Sequence, residues 1–146
     1  MKRTSYNSMR LEFPAKSVNE GFARSAVAAF AAQCDPSVGA IADLKTAVSE
    51  AVTNAIVHAY KGIENKERCP VYIQCRLTSD KRITVKIRDK GQGIADIKQA
   101  MEPLYTTDPE GERSGMGFTI MQSFCDRLRV SSKKGKGTSV ILEKSL

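Results

Sequence analysis

The stretch SEAVTNAIVHAY, residues 49 to 60, restricts what this chain can fold into more than any other. Ala51, Val52, Ala55, Ile56, Val57 and Ala59 belong inside a protein, yet Glu50, Asn54 and His58 recur at a strict four-residue interval. Each step of four advances only about 40° around a helix of 3.6 residues per turn, so the three polar groups form one slanting stripe. A lone carboxylate is costly in a dry core. The stripe therefore borders either solvent, as the edge of an amphipathic helix, or a cavity, a cation or a hydrogen-bonded ligand. A carboxamide one turn beyond the carboxylate is a neutral oxygen donor suited to a hard ion such as Mg2+. His58 extends the stripe and reads as a hydrogen-bonded structural histidine.

The remaining segments supply the layers around this helix. MRLEF alternates and suits an edge strand. SVNEGFARSAVAAFAAQC reads as a first helix, with Ser17 and Glu20 at capping-box spacing and Phe22, Ala26, Ala29 and Phe30 as its buried stripe. Asp35-Pro36 ends it, and the second helix runs from about Ala40 to Tyr60, with Gly62 at its close. VYIQCRL and RITVKIRD form a hairpin, GFTIMQSFCDRL is again helical, and RVSSKKGKGTSVILEKS is a second hairpin. This order implies an α+β fold in one domain, residues 1–146: a two-layer α/β sandwich with helices on one face of a mixed, mainly antiparallel sheet.

Several function classes are disfavoured. The N-terminus lacks an apolar signal-peptide core, and the longest apolar run, Ala26 to Ala32, is too short for a bilayer, so a cytoplasmic chain without membrane association is expected. Cys34, Cys69, Cys75 and Cys125 are scattered, with one histidine in the chain, which argues against a zinc site or a disulfide framework. The net charge of +7 suits nucleic acid in principle, but the basic residues are spread thinly. The one dense cluster, Lys133, Lys134 and Lys136, falls in a hairpin loop without interleaved aromatics. No direct nucleic-acid contact is expected, and an anionic ligand or an acidic protein would use the charge equally well.

Three further motifs carry chemistry. RDKGQGI places Asp89 at a strand end before Gly91 and Gly93, where a carboxylate can accept from an exocyclic amine while the chain closes over a flat ring. ERSGMGF sets Gly115 and Gly117 before a helix, whose N-terminus favours anions, with Arg113 upstream as a bidentate phosphate partner. Gly137-Thr138 opens the last strand. The span from Asp89 to Gly117 holds five of the ten glycines, an irregular stretch of the kind that usually carries function.

Taken in order, Glu50 with Asn54, D-x-G-x-G, R-x-G-x-G and Gly-Thr resemble the Bergerat, or GHKL, ATP-binding fold of type II topoisomerases, heat-shock chaperones, mismatch-repair ATPases and histidine kinases. The segments NEGFAR, DLKTAVSEAVTNAIVHAY, EPLYTTDPE and ERSGMGFTIM are similar to the anti-sigma F serine kinases of spore-forming bacteria. Ala59 departs from the glycine usual in that sporulation branch.

The resemblance implies that Glu50 polarises the attacking hydroxyl, that Asn54 holds Mg2+, and that Asp89 with Gly91, Gly93 and Thr138 binds the adenine of ATP or ADP. It also implies an ATP lid over about 103–114, with Thr107, Arg113, Ser114, Gly115, Met116 and Gly117 around the phosphates. Glu20 and Arg24 would meet protein partners: a sigma factor, sigma F first, and an anti-anti-sigma factor that is both substrate and competitor. A homodimer is implied as well. A general-stress sigma B kinase and a non-catalytic, nucleotide-gated binding module are the alternatives.

Overall fold

The computed structural model describes residues 5–94, 96–101 and 117–146. Strands β1 (Ser5–Pro14), β2 (Pro70–Thr78), β3 (Arg82–Asp89), β4 (Arg127–Lys133) and β5 (Gly137–Ser145) form one sheet in the order β1-β2-β3-β5-β4. The expected mixed, mainly antiparallel sheet proves to have four pairings among the described residues, all antiparallel. Beside it lie helices α1 (Val18–Ala31), α2 (Val38–Thr53), α3 (Ile97–Ala100) and α4 (Gly117–Phe124), with short 3-10 turns at Ala32–Cys34 and Lys66–Arg68, and α2 packs against both α1 and α4.

Strand alternation fixes which face the helices cover. Val71, Ile73, Cys75 and Leu77 of β2 and Ile83, Val85 and Ile87 of β3 are buried, whereas their neighbours in sequence are more accessible. They meet Leu44, Ala47, Val48, Ala51 and Val52 of α2 in one core. Burying each large aliphatic side chain contributes about 1.5–3 kcal/mol. Within that core, burial pushes the Cys75 thiol up to about 12, so it stays protonated.

Helix α1 departs from expectation twice. Ser17 has a helical backbone (φ −59°, ψ −28°) and its side chain makes no cap bond, so the capping box does not form. The buried face is Ala23, Val27, Phe30 and Ala31, while Phe22 is 56% exposed, Ala29 is exposed and Ala26 is half-buried. Small residues on both partners, Ala23 and Ala31 on α1 and Ala47 and Ala51 on α2, allow close packing, and the bulky Phe22 turns outward.

Helix α2 begins at Val38 because Ser37, with an extended backbone, accepts the Ala40 N–H on its Oγ at 3.1 Å. Regular α-helical bonding ends at Thr53. Asn54–His58 form a wider turn in which the Ala59 N–H donates to the Asn54 carbonyl at 3.0 Å. Such i→i+5 turns are rare and recur at functional sites. The wider turn advances less per residue and offsets the drift of the polar stripe, so Asn54 and His58 face the same cavity.

Candidate functional site

That cavity, about 540 Å³, lies between the end of α2, the β3 end, the start of α4 and the β4–β5 hairpin. The volume falls in the range of small-molecule sites, about 300–1,000 Å³. Asp89, Gly93 and Thr138 line one part, Asn54 and Gly117 another, and Ile87, Val140 and Phe118 supply apolar wall. A flat heterocycle with an anionic tail has matching surfaces here.

Asp89 is 7% exposed at the end of β3. Its Oδ1 accepts the Gly91 N–H at 2.9 Å and the Thr138 N–H at 3.2 Å. Burial raises its pKa above the usual carboxylate value, and the two backbone donors oppose that shift. Because the folded value is raised, the stability Asp89 contributes is present below the ordinary carboxylate range and is lost as pH rises through the raised value. An ionised Asp89 is therefore a local liability that a hydrogen-bond donor from a ligand would relieve.

The glycines after Asp89 serve the protein backbone before any ligand. A Cβ on Gly91 would lie 2.1 Å from the Ala59 carbonyl oxygen, and Gly91 is not among the cavity-lining residues. Gly93 does line the cavity, has φ +74°, and a Cβ there would lie 2.2 Å from the Lys133 oxygen. Residues 89–94 are thus threaded between α2 and the β4–β5 hairpin. The Gln92 N–H donates to the Ala59 carbonyl at 2.8 Å, the Gly135 N–H to the Gln92 carbonyl at 2.6 Å, and the Ile94 N–H to Ser132 Oγ at 2.7 Å. Thr138 shares a 2.8 Å hydroxyl contact with Ser132.

Two supports escaped the sequence reading. Tyr60 is buried; its hydroxyl donates to the Pro70 carbonyl at 2.5 Å and accepts the Lys90 N–H at 2.6 Å, fixing the loop beside Asp89. A tyrosine directly after the polar stripe was the available signal, since a buried phenol needs polar partners. Ser132 gathers Ile94, Gly137 and Thr138 through one hydroxyl, and nothing in a serine on a polar strand announces that.

Glu50 and Asn54 converge at the start of α4. A Cβ on Gly117 would lie 3.4 Å from both Asn54 side-chain polar atoms and 3.6 Å from Glu50 Oε2. Glu50 itself lines a second groove of about 410 Å³ with Arg24, Lys45, Thr46 and Ser49. A carboxylate and a carboxamide meeting beside a helix start, at the edge of the cavity, fit a hard cation carried by phosphate oxygens, which needs only one or two protein oxygens. Glu20 and Arg24 form a 3.3 Å ion pair, and Ser49 Oγ donates to the same Glu20 oxygen. Freed from capping, Glu20 ties α1 to the residue before Glu50. Thr107, Arg113, Ser114, Gly115 and Met116, with the span 103–114, lie outside the described residues.

Comparison with known proteins bears on the family and the fold. Residues 13–144 match the model of the histidine kinase-like ATPase domain. The Clostridium beijerinckii anti-sigma F factor is 56% identical over 140 residues, covering 96% of this chain and 95% of that protein. The Clostridium acetobutylicum anti-sigma F factor is 54% identical, covering 94% of this chain and 93% of that one. Among solved structures, the RsbU and RsbW domains of a Mycobacterium tuberculosis protein superpose with a TM-score of 0.69 at 18% identity, over 97% of this chain and 33% of that one. A blue-light activated histidine kinase domain from Erythrobacter litoralis gives 0.55 at 19%, over 91% and 61%. Among the described residues no helix is long and apolar enough to cross a membrane.

Proposed function

The chain belongs to the anti-sigma F factors within the histidine kinase-like ATPase domain family, and from that we propose that it sequesters sigma F under the control of bound nucleotide and phosphorylates an anti-anti-sigma protein on serine. One observation carries the reading: 56% identity to an anti-sigma F factor sustained over 96% of the chain. The cavity supports it, because Asp89 and Thr138 line one part of it and Asn54 and Gly117 another.

In this reading Asp89 accepts the adenine amine, with Thr138 and Gly93 on the same wall and Gly91 holding the loop against α2. Asn54 faces the phosphates and supplies an oxygen to Mg2+, which would neutralise charge on the transferred group. Glu50, on the groove side of Gly117, orients the acceptor hydroxyl and draws on its proton. Phosphoryl transfer has a loose transition state, so this placement matters more than basicity. Residues 103–114 close over the nucleotide, and Thr107, Arg113, Ser114, Gly115 and Met116 bind its phosphates. Residues 1–146 act as one kinase domain in a cytoplasmic homodimer. Glu20 and Arg24 contact sigma F and its competitor, so the two exclude each other. Incubation with Mg-ATP and a purified antagonist tests the reading: phosphoserine on the antagonist is expected, and nucleotide binding without transfer would leave only a gating module.

Asp89→Asn separates recognition from folding. The amide oxygen keeps both backbone bonds, but the charged acceptor is lost, and a hydrogen bond to a charged group contributes about 1.5–3 kcal/mol. Nucleotide affinity is expected to fall about 10–150-fold by calorimetry. The nucleotide-free variant should melt no lower than the parent at pH 7, and its advantage should grow as pH rises through the acid range. An unchanged affinity would remove Asp89 from the adenine site.

Arg24→Ala should weaken sigma-factor capture about tenfold or more, the effect of losing an interface arginine, while nucleotide affinity stays constant. Titration of both ligands against the variant decides it. A collapse of nucleotide affinity would place Arg24 in the wrong site.

A further inference from the structure

The face of the sheet opposite the helices collects charge that looks dispersed in the sequence. Antiparallel register lines up Arg10, Gln74, Lys86, Ile141 and Arg129 in one row across all five strands. The next row is Ser8, Arg76, Thr84, Glu143 and Arg127. The row on the other side is Glu12, Tyr72, Arg88, Ser139 and Ser131. Each of these positions alternates with a core residue, so all project from the outer face. Six cations stand in the three rows against two carboxylates, and Glu143 is engaged by Arg129 at 3.6 Å. Among the described residues Arg10, Arg76, Lys86 and Arg127 form no ion pair. With Lys90, whose ammonium lies 5.4 Å from the Tyr72 ring centre, the face holds most of the chain's net charge of +7.

From this array we infer a second binding surface, for the phosphodiester backbone of nucleic acid, read without regard to sequence. The composition decides between a polyanion of that kind and an acidic protein. Protein interfaces centre on apolar and aromatic anchors, with charge at the rim. Here the arrangement is reversed: the middle rows are cationic, Ile141 is the one aliphatic side chain in them, and the Tyr72 ring is covered by Arg88 at 4.5 Å. Interfaces with nucleic acid are polar and strongly positive, and much of their bonding goes to phosphates from Arg, Lys, Ser, Thr and Gln. Ser8, Gln74, Thr84, Ser131 and Ser139 provide the neutral donors between the cations. Five strands span about 19 Å, wide enough for several phosphates. The thin spread of basic residues along the chain, which counted against nucleic acid, is what strand alternation produces when charge is gathered on one face. The surface is independent of the nucleotide cavity.

The test compares two doubly charge-reversed chains with the parent by fluorescence anisotropy on a random-sequence duplex of about 20 base pairs. Arg76→Glu with Lys86→Glu alters the outer face; Lys16→Glu with Lys45→Glu makes the same change of net charge away from those rows. The parent should bind with a dissociation constant of about 10⁻⁴–10⁻⁶ M and a log–log salt slope near −3 to −4, as for about four phosphates. The outer-face pair should lower affinity at least tenfold and flatten the slope by about 2, and the Lys16/Lys45 pair should change neither. ADP affinity and melting temperature, measured on all three, confirm that the folds are intact. Equal losses in both double variants would reduce the effect to net charge and overturn the proposal. So would no binding by the parent at 50 mM salt, or tighter capture of a poly-glutamate peptide than of the duplex.

Discussion

Glu50→Gln is expected to slow phosphoryl transfer by about 10²–10⁴, the usual effect of removing a positioned base, while ATP and sigma factor still bind. The expectation follows from where Glu50 sits. Its Oε2 approaches Gly117 at one end of the nucleotide cavity, yet its side chain lines the separate groove that contains Arg24 and Ser49. A carboxylate between that cavity and a separate groove can meet a hydroxyl arriving from the groove side without filling the cavity. Its position is held on the other side, because Glu20 bonds both Arg24 and Ser49, the neighbour of Glu50 in sequence. Glu50→Asp gives the sharper comparison. It keeps the charge but withdraws it by one methylene, so it should lose nearly as much rate as Gln if placement dominates. Single-turnover phosphorylation, with nucleotide affinity measured alongside, reads both variants. A Gln variant with parental turnover would remove Glu50 from the chemistry, and a loss confined to ATP affinity would reassign it to binding.

What the sequence disclosed here depended on how local the cause was. Both hairpins were legible because alternation and turn residues act over a few positions; VYIQCRL and RITVKIRD became β2 and β3. The polar stripe was legible because α2 is helical by propensity and burial together. The face of α1 was legible only at Phe30, since an alanine-rich helix offers several apolar stripes, and Phe22, Ala26 and Ala29 do not share the burial of Phe30. Packing against the small residues of α2 chose Ala23, Val27 and Ala31 instead. The wide turn at Asn54–His58 was invisible for a related reason: Ala55, Ile56 and Val57 are all compatible with a regular helix. The residues that follow it are tied to a segment far along the chain, where Gln92 bonds the Ala59 carbonyl and Tyr60 reaches Lys90. In the site, the cavity-lining residues Asn54, Asp89, Gly93, Gly117 and Thr138 were readable one motif at a time. The braces between motifs, Ser132 to Ile94 and Asp89 to Thr138, join residues that only the folded sheet brings together.

Gly137→Ala, like Gly93→Ala with the same pair of penalties, is expected to be among the most damaging single-methyl substitutions in the described structure, lowering stability by about 3 kcal/mol or more and the melting temperature by about 10 °C. Two separate penalties meet there. The backbone has φ +102°, which an L side chain rarely adopts, and a Cβ would lie 2.2 Å from the Asp89 carbonyl oxygen. Relief requires β5 to move away from the end of β3, and that movement would pull the Thr138 N–H off Asp89 Oδ1. Nucleotide binding should fail together with stability. Two other glycines separate the penalties. Gly135, at φ +80°, has nothing within 4 Å of a built Cβ, so Gly135→Ala carries the conformational cost alone, about 1 kcal/mol. Gly91 lies outside the positive-φ region, yet a Cβ there would sit 2.1 Å from the Ala59 oxygen, so Gly91→Ala carries the collision alone. Stability should rank Gly135→Ala above Gly91→Ala, with Gly137→Ala lowest, by thermal and urea unfolding. Nucleotide affinity should survive in the first and fall in the other two. If Gly137→Ala unfolded no more easily than Gly135→Ala, β5 would have room to shift, and the rigid seat assigned to Asp89 between two backbone amides would be lost with it.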